Sequence, residues 1–110
     1  MEFAENGLRK VQAEVAEFSG KCGLASDPVV RFLDFSSELG ELSKELLKSS
    51  GYGERELCVT QAMEEEAGDC LFSLLAFCNA AGIDGEKALS GVLQKYEERF
   101  EKTGETGSGR

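Results

Sequence analysis

One stretch restricts what this chain can fold into more than any other. In SSELGELSKELLK, residues 36–48, Leu39, Leu42 and Leu46 recur at the spacing of one helical face. Glu38, Glu41 and Glu45 keep the same period, so three carboxylates stand one above another beside an apolar stripe. Like charges stacked this way repel, and a helix that needed only solubility would intersperse lysines there. A positive partner over that face resolves the conflict, and a divalent metal ion is the simplest one.

The helical period extends along the whole chain. Leu8, Val11, Val15 and Phe18 predict a first helix over residues 5–19, stopped by Gly20 and Gly23. Asp27 followed by Pro28 reads as an N-cap and a first helical residue. From there Val29, Phe32, Phe35 and the three leucines carry a second helix to about residue 49, with Gly51 as its stop. GYGEREL, residues 51–57, is a connector. Thr60 suits the N-cap of a third helix that runs to residue 81 and closes at Gly82. Asp84 caps a fourth, with Glu86 favourable in its first turn; Ala88, Val92, Leu93, Tyr96 and Phe100 form its apolar side, ending near residue 102. No strand pattern competes, and there is one proline.

These elements predict an all-α fold, a four-helix bundle with short connections in one domain over residues 1–102. The tail TGETGSGR, residues 103–110, has no apolar side chain and is expected to be disordered. Within the third helix, CLFSLLAFCNAA is apolar on nearly every side. A helix that is hydrophobic all round is buried all round. One copy of so small a domain cannot cover it, so the chain is expected to oligomerise.

Charge and missing residue types narrow the chemistry. A formal net charge of −9 argues against a nucleic-acid backbone or an anionic membrane as partner. The absence of histidine removes Ser-His and Cys-His catalysis, His-ligated zinc and the histidine-containing di-iron bundles. Cys22, Cys58, Cys70 and Cys78 form no C-x-x-C pair. Cys70 and Cys78 share a helix, roughly 12 Å apart along its axis and too far to bridge; all four read as buried, reduced thiols of a cytoplasmic protein. The N-terminal stretch lacks the apolar core of a signal peptide. The apolar run at residues 71–78 is too short to span a bilayer.

The third helix supplies a second half for the acidic face. Glu66 and Asp69, in EEEAGDC, are three apart and point one way. If the second and third helices pack antiparallel, Glu38 and Glu41 face Glu66 and Asp69 across an oxygen-only cage. Mg²⁺, or Mn²⁺ in its place, prefers such ligands. A single Glu-x-x-Glu is ordinarily a solvated helix face; two such pairs on neighbouring helices, each beside a core stripe, favour a site. Gly40 and Gly68 lie inside the two pairs, where a mid-helix glycine costs about 1 kcal/mol. Each allows a close helix approach or leaves room for a ligand, if its placement is not chance.

ELGE at residues 38–41 and EAGD at residues 66–69, with the flanking SSELGELSKEL, EEAGDCLFSLLAFCNAAGID and LQKYEERF, resemble the MazG-like nucleoside triphosphate pyrophosphohydrolases. The likeness runs from the second helix to Phe100. It implies Mg²⁺-dependent hydrolysis of a nucleoside triphosphate between the α- and β-phosphates, giving monophosphate and pyrophosphate, in nucleotide-pool house-cleaning. It implies metal ligands at Glu38, Glu41, Glu66 and Asp69, and a homodimer or homotetramer whose pocket draws on more than one subunit. Glu41 and Glu45 are the two choices for orienting the attacking water. Lys95 and Arg99, four apart in KYEER, fall where relatives carry a cationic pair and are the expected phosphate contacts. Asn79 matches a polar position that reaches base or sugar, and Gln12 lies in a region that contacts the base. Tyr96, Phe35 and Phe32 could stack on a base, although core packing is the simpler role for them. The tryptophan that many relatives place near the base is missing, which leaves base preference open. The reading from another class is a non-catalytic helical module that binds nucleotides or partners without turnover. An oxygen-ligated metal buffer fits poorly, because no calcium loop is present.

Overall fold

The computed structural model describes residues 7–104. Four helices account for most of it: α1 (Leu8–Cys22), α2 (Pro28–Ser49), α3 (Gln61–Ala81) and α4 (Gly85–Thr103). No strand occurs among the described residues.

Local chemistry sets the boundaries. The Asp27 carboxylate accepts from the backbone N–H groups of Val29 and Val30, the Thr60 hydroxyl from that of Met63, and the Asp84 carboxylate from that of Lys87. Each such cap is worth about 1 kcal/mol. Helix α1 differs. Its N-cap is Gly7, which has no side chain to offer; Glu86 of α4 takes over, accepting from the Arg9 backbone N–H at 3.0 Å. The expected start of α1 at residue 5 lies outside the described residues. Contrary to the expectation from sequence, Gly20 does not stop the helix. It stays helical, and the left-handed turn falls at Gly23, φ 67°, where the Gly23 and Leu24 N–H groups donate to the carbonyls of Gly20 and Ser19. Gly82, φ 72°, closes α3 in the same way. At the other end Thr103 still belongs to α4 and Gly104 caps it, so the expected disordered tail from residue 105 onward lies outside the described residues.

Ring and polar contacts fix the packing. Phe32 meets Phe77 with ring centroids 5.6 Å apart, and Glu38 meets Asp69 and Glu66. Residue numbers fall on α3 as they rise on α2, so the two run antiparallel. Phe18 on Phe72 and Gln12 on Asn79 show the same for α1 and α3. Val15, Leu75 and Ala76 form the core, with Leu8 and Phe72 against them. Phe32 also packs edge-on against Phe35, which gives these two rings the packing role.

The predicted four-helix bundle does not close within one chain. α4 leaves α3 at 105° and rests on α1. The radius of gyration is 16.7 Å, against about 13 Å for a compact domain of this length. α2 has no buried residue, and Val29, Leu33 and Leu71 are 65%, 61% and 62% exposed. Cys70 and Cys78 are buried, but Cys22 and Cys58 are exposed, because they sit at a helix end and in the connector rather than on a packed face. Among the described residues no single helix is long and apolar enough to cross a membrane.

Candidate functional site

The α2–α3 pairing turns two helical patterns into one cluster. Glu38 projects from the middle of α2; Glu66 and Asp69 project from α3, one turn apart. One carboxylate oxygen from each of the three lies within 4.8 Å of the others. Glu38 and Glu66 are half-buried and Asp69 is exposed. Burial, then the charges of Asp69 and Glu66, raise the Glu38 carboxyl above the usual glutamate range. Burial, then Asp69, Glu41 and Glu45, do the same to Glu66. The Cys70 thiol sits behind the cluster and is pushed up chiefly by its own burial, then by the three carboxylates.

Glu41 and Glu45 stand at the edge. Glu41 is exposed and pairs with Lys44 at 3.7 Å; Glu45 is half-buried and pairs with Lys48 at 3.1 Å. Glu41 bears on both Glu38 and Glu66, whereas Glu45 bears on Glu66 alone. The structure therefore gathers three of the four expected ligands tightly and holds Glu41 next to them.

The donor set suits a hard cation. It offers only carboxylate oxygens, which Mg²⁺ and Mn²⁺ prefer. The Glu66 Oε2 atom is buried and has no hydrogen-bond partner. A buried, unpaired carboxylate oxygen is costly and calls for a compensating charge. No cation side chain pairs with Glu38, Glu66 or Asp69 among the ion pairs of the described residues. A Cβ built on Gly40 or Gly68 would meet nothing within 4 Å, so neither glycine serves a close helix approach inside one chain. The space beside the carboxylates is open.

The remaining expected site residues lie elsewhere. Gln12 is 9% exposed, and its carboxamide is fully engaged. Its Nε2 donates to Asn79 Oδ1 at 2.9 Å and to the Ile83 carbonyl at 2.8 Å, while its Oε1 accepts from the Gly85 N–H at 2.9 Å. Asn79 Nδ2 returns a bond to the Gln12 carbonyl at 3.1 Å. The pair ties α1 to the α3–α4 turn. Lys95 is exposed and lies over the ring of Tyr96 at 5.4 Å; Arg99 is half-buried on the same helix. Among the described residues no hydrogen bond or ion pair brings Lys95 or Arg99 to the carboxylates, since α4 packs on α1 and stands at 105° to α3.

Sequence reasoning passed over Arg31. Its side chain is 13% exposed, pairs loosely with Asp34 at 3.7 Å, and lines a pocket of about 230 Å³ with Asn79. The signal was present as a charged residue inside an apolar run, PVVRFLDF.

Comparison with known proteins agrees with this geometry. The family model of the MazG nucleotide pyrophosphohydrolase domain matches residues 33–103, a span holding all five acidic candidates. YpjD of Bacillus subtilis strain 168, an uncharacterized protein, is 35% identical over 102 residues, covering 88% of this chain and 89% of its own. The crystal structure of Bacillus subtilis YpjD, provisionally assigned as a pyrophosphatase, superposes with a TM-score of 0.66 at 31% identity, over 86% of this chain and 98% of that one. With the family model covering more than half of its length and the acidic pairs of α2 and α3 inside the match, the chain belongs to the MazG nucleotide pyrophosphohydrolase domain family.

Proposed function

We propose that this protein is a Mg²⁺-dependent nucleoside triphosphate pyrophosphohydrolase. In this reading water attacks the α-phosphorus of a (deoxy)nucleoside triphosphate, the α–β anhydride bond breaks, and pyrophosphate leaves with the nucleoside monophosphate as second product. The observation that carries the reading is the convergence of Glu38, Glu66 and Asp69 within 4.8 Å, with Glu66 Oε2 orphaned.

Glu38, Glu66 and Asp69 would hold the cation, with Glu41 completing the set because it bears on two of them. When bound, the ion neutralises phosphate charge and acidifies water. Glu45, one turn beyond Glu41 and paired with Lys48 at 3.1 Å, would orient the attacking water and take its proton. Lys95 and Arg99 are the phosphate contacts, stabilising charge that develops on the leaving pyrophosphate.

In one chain α4, which carries those cations, packs on α1 and stands at 105° to α3. We therefore place them on α4 of a second copy, in a dimer or dimer of dimers. The uncovered apolar side chains of α2 and α3 support such an assembly, since patches of this kind mark association surfaces. A role in clearing unwanted nucleotides from the pool fits the family.

The test is a panel of ribo- and deoxyribonucleoside triphosphates with Mg²⁺, analysed for products. Monophosphate and pyrophosphate in equal amounts are expected. Diphosphate with orthophosphate would place the cut at another bond, and inertness toward the whole panel would leave the non-catalytic module as the reading.

A further inference from the structure

α1 and α4 begin side by side, and each holds the first turn of the other. The Glu86 carboxylate of α4 accepts from the Arg9 backbone N–H, and the Gln12 carboxamide of α1 accepts from the Gly85 backbone N–H. The first N–H groups of a helix have no partner inside it, so each bond meets a need that the helix cannot meet alone. Gln12 also donates to Asn79 at the end of α3 and to the Ile83 carbonyl in the turn. One buried side chain thus grips three successive segments: the end of α3, the turn and the start of α4.

The grip leaves no slack. A Cβ built on Gly85 would stand 2.8 Å from Gln12 Oε1 and 3.8 Å from Leu75 Cδ2. Gly85 is not among the residues with positive φ, so the position requires the missing side chain rather than backbone freedom. Any larger residue forces Gln12 or α4 to shift. Because α4 leaves α3 at 105° and rests on α1, such a shift changes the direction of the whole helix.

The displacement grows along α4. Lys95 lies ten residues beyond Gly85 and Arg99 fourteen, about 15 and 21 Å along the axis. A tilt of about 10° at the first turn moves them by about 2.6 and 3.6 Å. A misplacement of about 1 Å can cost on the order of 100-fold in rate. Resting on the reading of Lys95 and Arg99 as the phosphate contacts, we infer that Gln12 and Gly85 are positioning residues for the reaction. Their contact sets the direction of α4 and so the place of both cations at the triphosphate. They act through α4 rather than by touching substrate.

The experiment joins kinetics to a distance. Triphosphate turnover with Mg²⁺ is measured well below Tm for wild type, Gly85→Ala, Gln12→Ala and Lys95→Ala, and for the first two variants each combined with Lys95→Ala. Alanine is the better helix former, so Gly85→Ala should keep its helicity while kcat/KM falls by about tenfold or more. Adding Lys95→Ala to Gly85→Ala or to Gln12→Ala should cost little further, because the cation is already displaced; independent effects would multiply. Spin labels at Ala62→Cys on α3 and Glu98→Cys on α4 report the angle, with Cys22→Ser and Cys58→Ser in the background and labelled chains diluted into unlabelled ones. Gly85→Ala and Gln12→Ala should shift or broaden that distance, which a purely stabilising contact would leave unchanged in the folded protein. An unchanged distance in both variants, undiminished turnover, or losses that multiply with Lys95→Ala overturns the inference. Should Gly85→Ala lose helicity, Gln12→Ala decides by the same readouts. A wild type that is inert, or indifferent to Lys95→Ala, overturns the phosphate-contact reading and this inference with it. An active wild type that needs Lys95, with variants that keep distance and turnover, overturns this inference alone.

Discussion

Two polar assemblies sit at opposite ends of α3. At its C-terminal end Gln12, Asn79, the Ile83 carbonyl and the Gly85 N–H exchange bonds of 2.8–3.1 Å. Next to them Arg9 bridges Asp84 at 2.9 Å and Glu86 at 3.0 Å. Donors meet acceptors and charges meet their opposites. Two Asp84 interactions, the Lys87 backbone N–H and then the Arg9 guanidinium, hold its carboxyl below the usual range. Toward the N-terminal end Glu38, Glu66 and Asp69 face one another, none of them in an ion pair with a cationic side chain among the described residues, and Glu38 and Glu66 are shifted the other way. The contrast separates a junction that is complete within one chain from a site whose parts oppose one another until something positive enters. Acidic residues alone do not make this distinction, since they stand at both ends.

The contrast breaks most visibly on substitution at the cluster. Glu66→Gln and Asp69→Asn are expected to lower nucleotide turnover by at least about 100-fold while helicity by circular dichroism stays intact. Full activity in either variant would remove that residue from the ligand set. At the junction the expectation is inverted. Gln12→Ala removes three side-chain hydrogen bonds, at roughly 1 kcal/mol each, so Tm should fall by on the order of 10 °C. An unchanged Tm with a raised KM would support the base-contact role expected for Gln12 from sequence.

The smallest effect concerns pH. Because the fold raises the Glu38 and Glu66 pKa above the ordinary 4.5, the folded state binds protons more readily than the unfolded chain. Metal-free protein should therefore lose stability as pH rises from 4.5 through the raised values, and regain it as pH falls back. Mg²⁺ should offset that loss at neutral pH by binding the native state. Thermal melts with Mg²⁺ and with chelator check both signs. Equal melting curves for Glu66→Gln and wild type across the range would mean that Glu66 is not the strained group.

Much of the fold could be read locally. Asp27, Thr60 and Asp84 each cap the helix that their positions predict, and Gly82 ends α3. These are short-range effects of one side chain on the next turn. Gly20 misled because a glycine is permitted in a left-handed turn without being compelled into one; the turn formed three residues later. Glu38, Glu66 and Asp69 were legible because three-residue spacing on a helix fixes a common face. Arg31 was not, since a lone cation in an apolar run reads as a surface residue until α1 and α3 close over it.

The sequence by itself determined the helices, their caps, and the carboxylate faces of α2 and α3, because a helical period and a capping bond depend on neighbours a few residues away. The tertiary structure decided which carboxylates converge, because that depends on the antiparallel register of α2 against α3. It decided that Gln12 and Asn79, 67 residues apart, satisfy one another. It also decided that α4 turns away at 105°, taking Lys95 and Arg99 from the site within one chain. Each of these is a contact between distant segments, and its geometry is set by packing rather than by the local period.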